Sequence, residues 1–204
     1  MDKKHETIKK ELLSLNTDKK IQHIEDLIIK HPDLIEARQL IKECFDSTKK
    51  VRPTCLHIMG DSGSGKTTIA STFMQEYPDN ITSNGTEKHI LYFETPCPAS
   101  ISGLPASMLE QLGDPFYNKA REVVSLKTKR LYKMLEETKV KMIFVDEIQH
   151  LVDRNSKKLL LDSSDWFKGL INNTHIPIVF MGLKDSKKIF TENEQLQNRV
   201  QLEK

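Results

Sequence analysis

The chain has 204 residues, 31 basic and 29 acidic, for a formal net charge of +2, which suits one main core and a small appendage and excludes nucleic-acid binding through overall charge, leaving only a local patch. Cys44, Cys55 and Cys97 are odd in number and form no C-x-x-C pair, which disfavours a disulfide frame or a zinc site and fits reduced thiols in the cytoplasm. No apolar run approaches the ~20 residues of a membrane span, and the lysine-rich start lacks the apolar segment of a secretion signal.

Up to residue 50 the pattern is helical. Ile8, Leu12, Leu13 and Leu15 suggest a first short helix. Asn16-Thr17-Asp18 breaks it and caps a second that carries Ile21, Ile24, Leu27 and Ile28. Pro32 stands where a third would start, with Leu34, Ala37, Leu40, Ile41 and Phe45 at helical spacing before it fades in residues 46–50. Lysines here alternate with Glu and Asp, as on a solvated face rather than in a DNA groove. Residues 1–50 therefore read as an N-terminal helical extension and 51–204 as the core.

From Val51 strands and helices alternate, the pattern of a mostly parallel sheet covered on both faces. Strands are expected at Thr54–Met59, His89–Glu94, Val140–Val145 and Ile176–Met181, with a fifth at Val200–Glu203. Helices are expected at Lys66–Tyr77, Ile101–Leu112, Asn118–Thr138, Ser156–Asn172, Asp185–Phe190 and Glu194–Arg199. Loops fall at Pro78–Glu87, with turn-forming Asn84-Gly85, and at Thr95–Ser100, where Pro96 and Pro98 forbid ladder pairing.

Between the first strand and its helix lies Gly60-Asp61-Ser62-Gly63-Ser64-Gly65-Lys66-Thr67, followed by Thr68, a complete G-x-x-x-x-G-K-[ST] loop in the strand–loop–helix setting it requires. Its glycines let successive backbone N–H groups turn inward on phosphates, and the helix N-terminus adds partial positive charge. Lys66 is suited to the β- and γ-phosphates of ATP, and the Thr67 hydroxyl to Mg²⁺. The run Met142-Ile143-Phe144-Val145-Asp146-Glu147 is an apolar strand ending in two carboxylates. That is what a Mg²⁺-dependent ATPase needs: Asp146 for the metal through its water shell, Glu147 to orient and deprotonate the attacking water.

With these motifs the chain resembles the AAA+ ATPases of transposition, the TniB/TnsC group. The resemblance is carried by GDSGSGKT, MIFVDE running into IQHLV, IPIVFMGLKDSKKIF, the Glu94-Thr95-Pro96 turn and ENEQLQNRV. It implies a three-layer P-loop α/β core with sheet order 5-1-4-3-2. It further implies a homo-oligomer, ring or filament, on double-stranded DNA, working with a transposase and a TniQ-like target selector. Arg199, just before the fifth strand, corresponds to an arginine that enters the neighbouring subunit's ATP site, a task that suits an always-charged fork; the other reading is a surface arginine at a helix C-terminus. The family lines its channel from the loop after the second strand and the region after the next helix, here Ser100, Ser102, Lys119 and Arg121. The last two suit sequence-independent phosphate contact, and an ordinary helix start is the alternative. Lys127, Lys129, Arg130 and Lys133 read as an outward face, His150 as structural, and Trp166 with Phe167 as core or subunit contact.

Two departures stand out. Many members place a polar residue after the fourth strand to position the attacking water, whereas here Gly182 is followed by Leu183. Members also continue into a helical lid, and this sequence stops at Lys204, so the lid is expected to be missing. The rival readings are a replication-type helicase loader or initiator, which shares these motifs, and an ATP-binding scaffold with little hydrolysis; a STAND-type signalling ATPase would need sensor repeats that this length lacks.

Overall fold

The structure is a computed structural model describing residues 32–83, 85–152 and 156–202. The two helices expected before Pro32, Asn84 of the expected turn and Glu203 of the fifth strand lie outside those residues. From Glu36 onward the chain is one compact unit. In chain order it runs α1 (Pro32–Asp46), β1 (Cys55–Met59), α2 (Lys66–Gln75), β2 (Asn80–Thr82), β3 (Gly85–Glu87) and β4 (Ile90–Glu94). Then follow α3 (Gly103–Gln111), α4 (Val124–Glu137), β5 (Met142–Asp146), a 3-10 turn (Ile148–Leu151), α5 (Lys157–Thr174) and β6 (Ile178–Gly182). A second 3-10 turn (Lys184–Lys187), α6 (Lys188–Thr191), α7 (Glu194–Gln197) and β7 (Val200–Leu202) complete it. Among the described residues no helix is long and apolar enough to cross a membrane.

Five strands form one sheet in the order β4-β5-β6-β1-β7, every pair parallel. Numbered by their place in the chain, these strands give 5-1-4-3-2, the order the resemblance implies. The central strands are apolar almost throughout because both faces are covered: all five residues of β5 and of β6 are buried. Alternate residues serve different layers. Leu91, Phe93, Ile143, Val145, Ile178 and Phe180 join the cluster with Leu131, Phe167 and Phe190 from α4, α5 and α6. On that side Phe180 meets Phe167 edge to face at 5.1 Å and Phe190 at 5.2 Å between ring centres. In the other parity Phe144 approaches Phe73 of α2, which in turn packs with Phe45 of α1. Each such buried aromatic contributes large area plus a favourable edge-to-face geometry.

Element ends lie within three residues of expectation, with two larger differences. Asn80–Thr82 and Gly85–Glu87 pair as a small antiparallel ladder, Asn80 opposite Glu87, where a loop was expected; three-residue strands carry too little alternation to be seen. The helix expected from Asn118 begins at Val124. Arg121 takes a left-handed backbone (φ 61) that a helix cannot continue, and Arg130 organises the turn before it. The Arg130 Nε donates to Asp114 Oδ2 at 2.6 Å, its Nη2 to Glu122 Oε2 and to the Phe116 carbonyl, both at 2.9 Å. The basic run is thus not one outward face: Lys127 is buried and donates to Ser102 Oγ at 3.2 Å, Arg130 is the clamp, and Lys129 stays exposed. Trp166 and Phe167 pack into the core as expected, with the Trp166 indole donating to Thr128.

His57 on β1 is fully buried, its Nε2 2.8 Å from Ser186 Oγ. The Ser186 hydroxyl donates to the Leu183 carbonyl at 2.5 Å, so His57 Nε2 must be the donor, and its buried Nδ1 has no partner among the described residues. Burial, with Lys187 nearby, pushes the imidazole down to about 4. The folded value lies below the unfolded one, so the unfolded chain binds the extra proton between them: stability is intact above about pH 6.5 and is lost as pH falls toward 4. We expect His57 to account for ~3 kcal/mol of acid destabilisation, measured as the difference between wild type and His57→Phe in urea unfolding at pH 7 and pH 4. Parallel losses in the two proteins would rule it out.

Candidate functional site

The phosphate-type loop leaves β1 after Met59 and enters α2 at Lys66. Gly65 sits at the helix cap with φ 90, a conformation that a side chain would strain. The N-terminus of α2 has no side-chain cap and no acidic residue in its first turn, so its leading N–H groups stay free as donors. Within the loop Ser64 N–H bonds to the Asp61 carbonyl at 3.2 Å, and Gly60 N–H bonds to the Gly182 carbonyl at 3.2 Å, which ties the loop to the end of β6. The Lys66 ammonium folds onto its own loop, donating to the Gly60 and Asp61 carbonyls at 2.8 and 2.9 Å.

Asp146 ends β5 on the same side as α2. Although only 1% exposed, its carboxylate is fully engaged: Oδ2 accepts from the Thr67 hydroxyl at 2.9 Å and from the Tyr92 hydroxyl at 2.8 Å, and Oδ1 from the Glu147 N–H at 2.8 Å. Burial and the adjacent Asp146 carboxylate push the Tyr92 phenol upward, so it stays a donor. Thr95 secures the strand end from the other side, its N–H and hydroxyl both donating to the Asp146 carbonyl at 2.9 and 3.0 Å.

Glu147 takes a left-handed backbone (φ 54) as the chain turns out of β5. Gln149 Nε2 donates to Glu147 Oε2 at 2.5 Å, and Gln149 Oε1 accepts from the Leu183 N–H at 3.1 Å. His150 Nδ1 lies 3.2 Å from the Thr95 carbonyl and must donate to it, while its Nε2 stands 3.9 Å from Glu147 Oε2. No sequence motif gives a role to Tyr92 or Gln149. Tyr92 could have been found from strand parity, since residues 92, 144 and 146 share a face through the pairing of β4 with β5. Gln149 carried no such signal, because its reach depends on the turn after β5.

The arrangement fits a nucleotide polyphosphate with a divalent ion. Uncapped helix donors and an ammonium gripping carbonyls suit anionic oxygens, and a hydroxyl paired with a carboxylate is a hard oxygen donor set. The remaining sequence candidates lie elsewhere. Arg199 precedes β7, where Val200 pairs with Cys55 at the start of β1. The five residues of β1 separate that end from the phosphate loop by about 16 Å. Arg199 lines a cavity of about 270 Å³ with Arg52, Lys168, Asn172 and Asn198, and its Nη1 is buried without a hydrogen-bond partner among the described residues. A second cavity, about 590 Å³ and lined by Lys49, Lys141 and Ile176 among others, is likewise at the starts of strands and shares no residue with the loop or the acidic tip. Ser100 is exposed and accepts from the Gly103 N–H, Ser102 is taken by Lys127, and Lys119 and Arg121 are exposed in the turn before α4.

The fold has solved counterparts. The structure of the Orc1 protein of Aeropyrum pernix in complex with DNA is similar at a TM-score of 0.54 and 15% identity, over 86% of this chain and 45% of that one. A DNA replication initiation factor is similar at a TM-score of 0.49 and 13% identity, over 87% and 48%. This chain therefore spans less than half the length of either protein, and the first likeness establishes the P-loop AAA+ fold. No curated protein sequence matches the chain. A family model does: that of the bacterial TniB protein matches residues 20–204, nearly the whole chain and both motifs, and the chain belongs to the TniB family.

Proposed function

We propose that this AAA+ protein binds and hydrolyses ATP with Mg²⁺, assembles as a homo-oligomer on double-stranded DNA, and there recruits a transposase together with a TniQ-like target selector. The observation that carries the reading is the hydrogen bond from Thr67 to Asp146 at 2.9 Å. It joins the two halves of a metal-nucleotide site that stand 79 residues apart in sequence. On this reading residues 60–68 cradle the phosphates, with the Lys66 ammonium exchanging loop carbonyls for phosphate oxygens, and Thr67 and Asp146 hold Mg²⁺, which neutralises charge developing on the phosphates. Hydrolysis forms a bond from the water oxygen to the γ-phosphorus and breaks the bond to the bridging oxygen, whose electron pair leaves with ADP. The proton of the water passes to Glu147.

Arg199 stands too far from the loop of its own chain to serve it, which supports a role toward the site of an adjoining copy. An always-charged guanidinium with a forked set of donors suits phosphate oxygens. DNA contact is assigned to the side of the molecule carrying Ser100, Ser102, Lys119 and Arg121. The exposed pair, Lys119 and Arg121, serve as phosphate contacts whose strength falls with salt, while Ser102, already bonded to Lys127, shapes the loop. Transposition as the setting rests on membership of the TniB family.

Lys66→Ala should lower ATP affinity by about two orders of magnitude or more, since a charge-assisted ammonium-to-phosphate contact is lost; titration with a fluorescent ATP analogue reads this, and wild-type affinity would refute the cradle. Glu147→Gln should keep ATP binding and DNA-dependent assembly while turnover falls by about 100-fold or more. Phosphate release at the wild-type rate would remove Glu147 from the role of base. Arg199→Ala should bind ATP as well as wild type yet fail to assemble with ATP and duplex DNA, as seen by light scattering and electron microscopy. Wild-type particles would return Arg199 to a structural role.

A further inference from the structure

We propose that Gln149 is the positioning residue for Glu147, tying the carboxylate to the end of β6 so that it keeps a fixed station relative to the phosphate loop. The inference rests on the reading of Glu147 as base. Its first support is the unambiguous orientation of the carboxamide. The Leu183 N–H can only donate, so the Gln149 oxygen faces it at 3.1 Å and the NH₂ faces Glu147 Oε2 at 2.5 Å. A group anchored at one end and donating at the other holds the carboxylate in one rotamer. No hydrogen bond engages Glu147 Oε1 among the described residues, which leaves that oxygen to take a proton from water.

The second support is where the anchor sits. Gly182, the last residue of β6, accepts from the Gly60 N–H at 3.2 Å and pairs with Met59. One strand end therefore grips both the first residue of the phosphate loop and, through Leu183 and Gln149, the base. The third is Gly182 itself. A Cβ there would stand 2.7 Å from Gln149 Oε1 and 3.0 Å from Ile148 Cγ2, closer than packed atoms stand, so the space occupied by the carboxamide exists because residue 182 has no side chain. The residue after β6 is the apolar Leu183, and the polar group at this strand end comes instead from the turn after β5. His150, 3.9 Å from the same carboxylate oxygen and directed at the Thr95 carbonyl, is too distant to hold Glu147 alone.

The test uses the full chain. Gln149→Met keeps the length of the side chain and removes both hydrogen bonds; Gly182→Ala displaces the carboxamide without altering it. ATP turnover is measured at saturating ATP and Mg²⁺ with duplex DNA, nucleotide affinity with a fluorescent ATP analogue, and folding by thermal melting. Each variant should lose about 10- to 100-fold in kcat, the scale of a base misplaced by about 1 Å, with nucleotide affinity and melting temperature near wild type. The double variant should lose little more than either single one, because both break the same link. Unchanged or raised kcat in Gln149→Met, or affinity falling in step with kcat, overturns the proposal. Glu147→Gln separates the two levels: if it turns over like wild type, the assignment of the base fails, whereas if it is inactive while Gln149→Met is unaffected, only the role of Gln149 falls.

Discussion

A buried carboxylate shared by three donors holds this molecule's working end together. Asp146 sits in an apolar surround where an unpaired charge would be expensive, and Thr67, Tyr92 and the Glu147 N–H remove that penalty. The three donors come from α2, β4 and the turn out of β5, so satisfying one anion brings three stretches of chain into register. The parallel sheet makes this possible. Strands running the same way present their carboxyl ends at one edge, and the topology sets the helix after β1 beside the tip of β5 without either needing a long loop.

Much of this was readable in the order of residues. The apolar runs of β1, β5 and β6 are dense because those strands are covered on two faces, and density of that kind survives in sequence. The glycines and lysine of residues 60–66 mark themselves by spacing, since a phosphate cradle tolerates few other patterns. The ladder of 80–82 with 85–87 was invisible for the opposite reason: its pairing is local, short and exposed, with Ile81 pointing outward. The late start of α4 was missed because helical periodicity extends into residues 118–123, while the deciding contacts, Arg130 with Asp114 and Glu122, are tertiary. Lys127 misled for a related reason, since a lysine can bury its ammonium when a hydroxyl such as that of Ser102 accepts it.

Of the site, the residues with motif spacing were legible and those that support them were not. Tyr92 shares a face with Asp146 by strand parity once β4 is set beside β5, whereas the carboxamide of Gln149 is of a kind found all over protein surfaces, and only the fold reveals that it spans from Glu147 to Leu183. The same holds at the other end of the strands. Arg199 could be named from its place before β7, yet its company with Arg52 and Lys168 emerges only when the β1 and α5 ends converge.

The Lys66 ammonium resting on the Gly60 and Asp61 carbonyls gives the cradle a tenant of its own. Those oxygens are satisfied before any ligand arrives, so the loop keeps its open curvature and does not collapse inward to find partners. On the proposed reading, an arriving polyphosphate would take the place of those two carbonyls instead of ordering a slack segment. Most of the entropy of shaping the pocket is spent once, during folding, and need not be spent again at each cycle of capture and release.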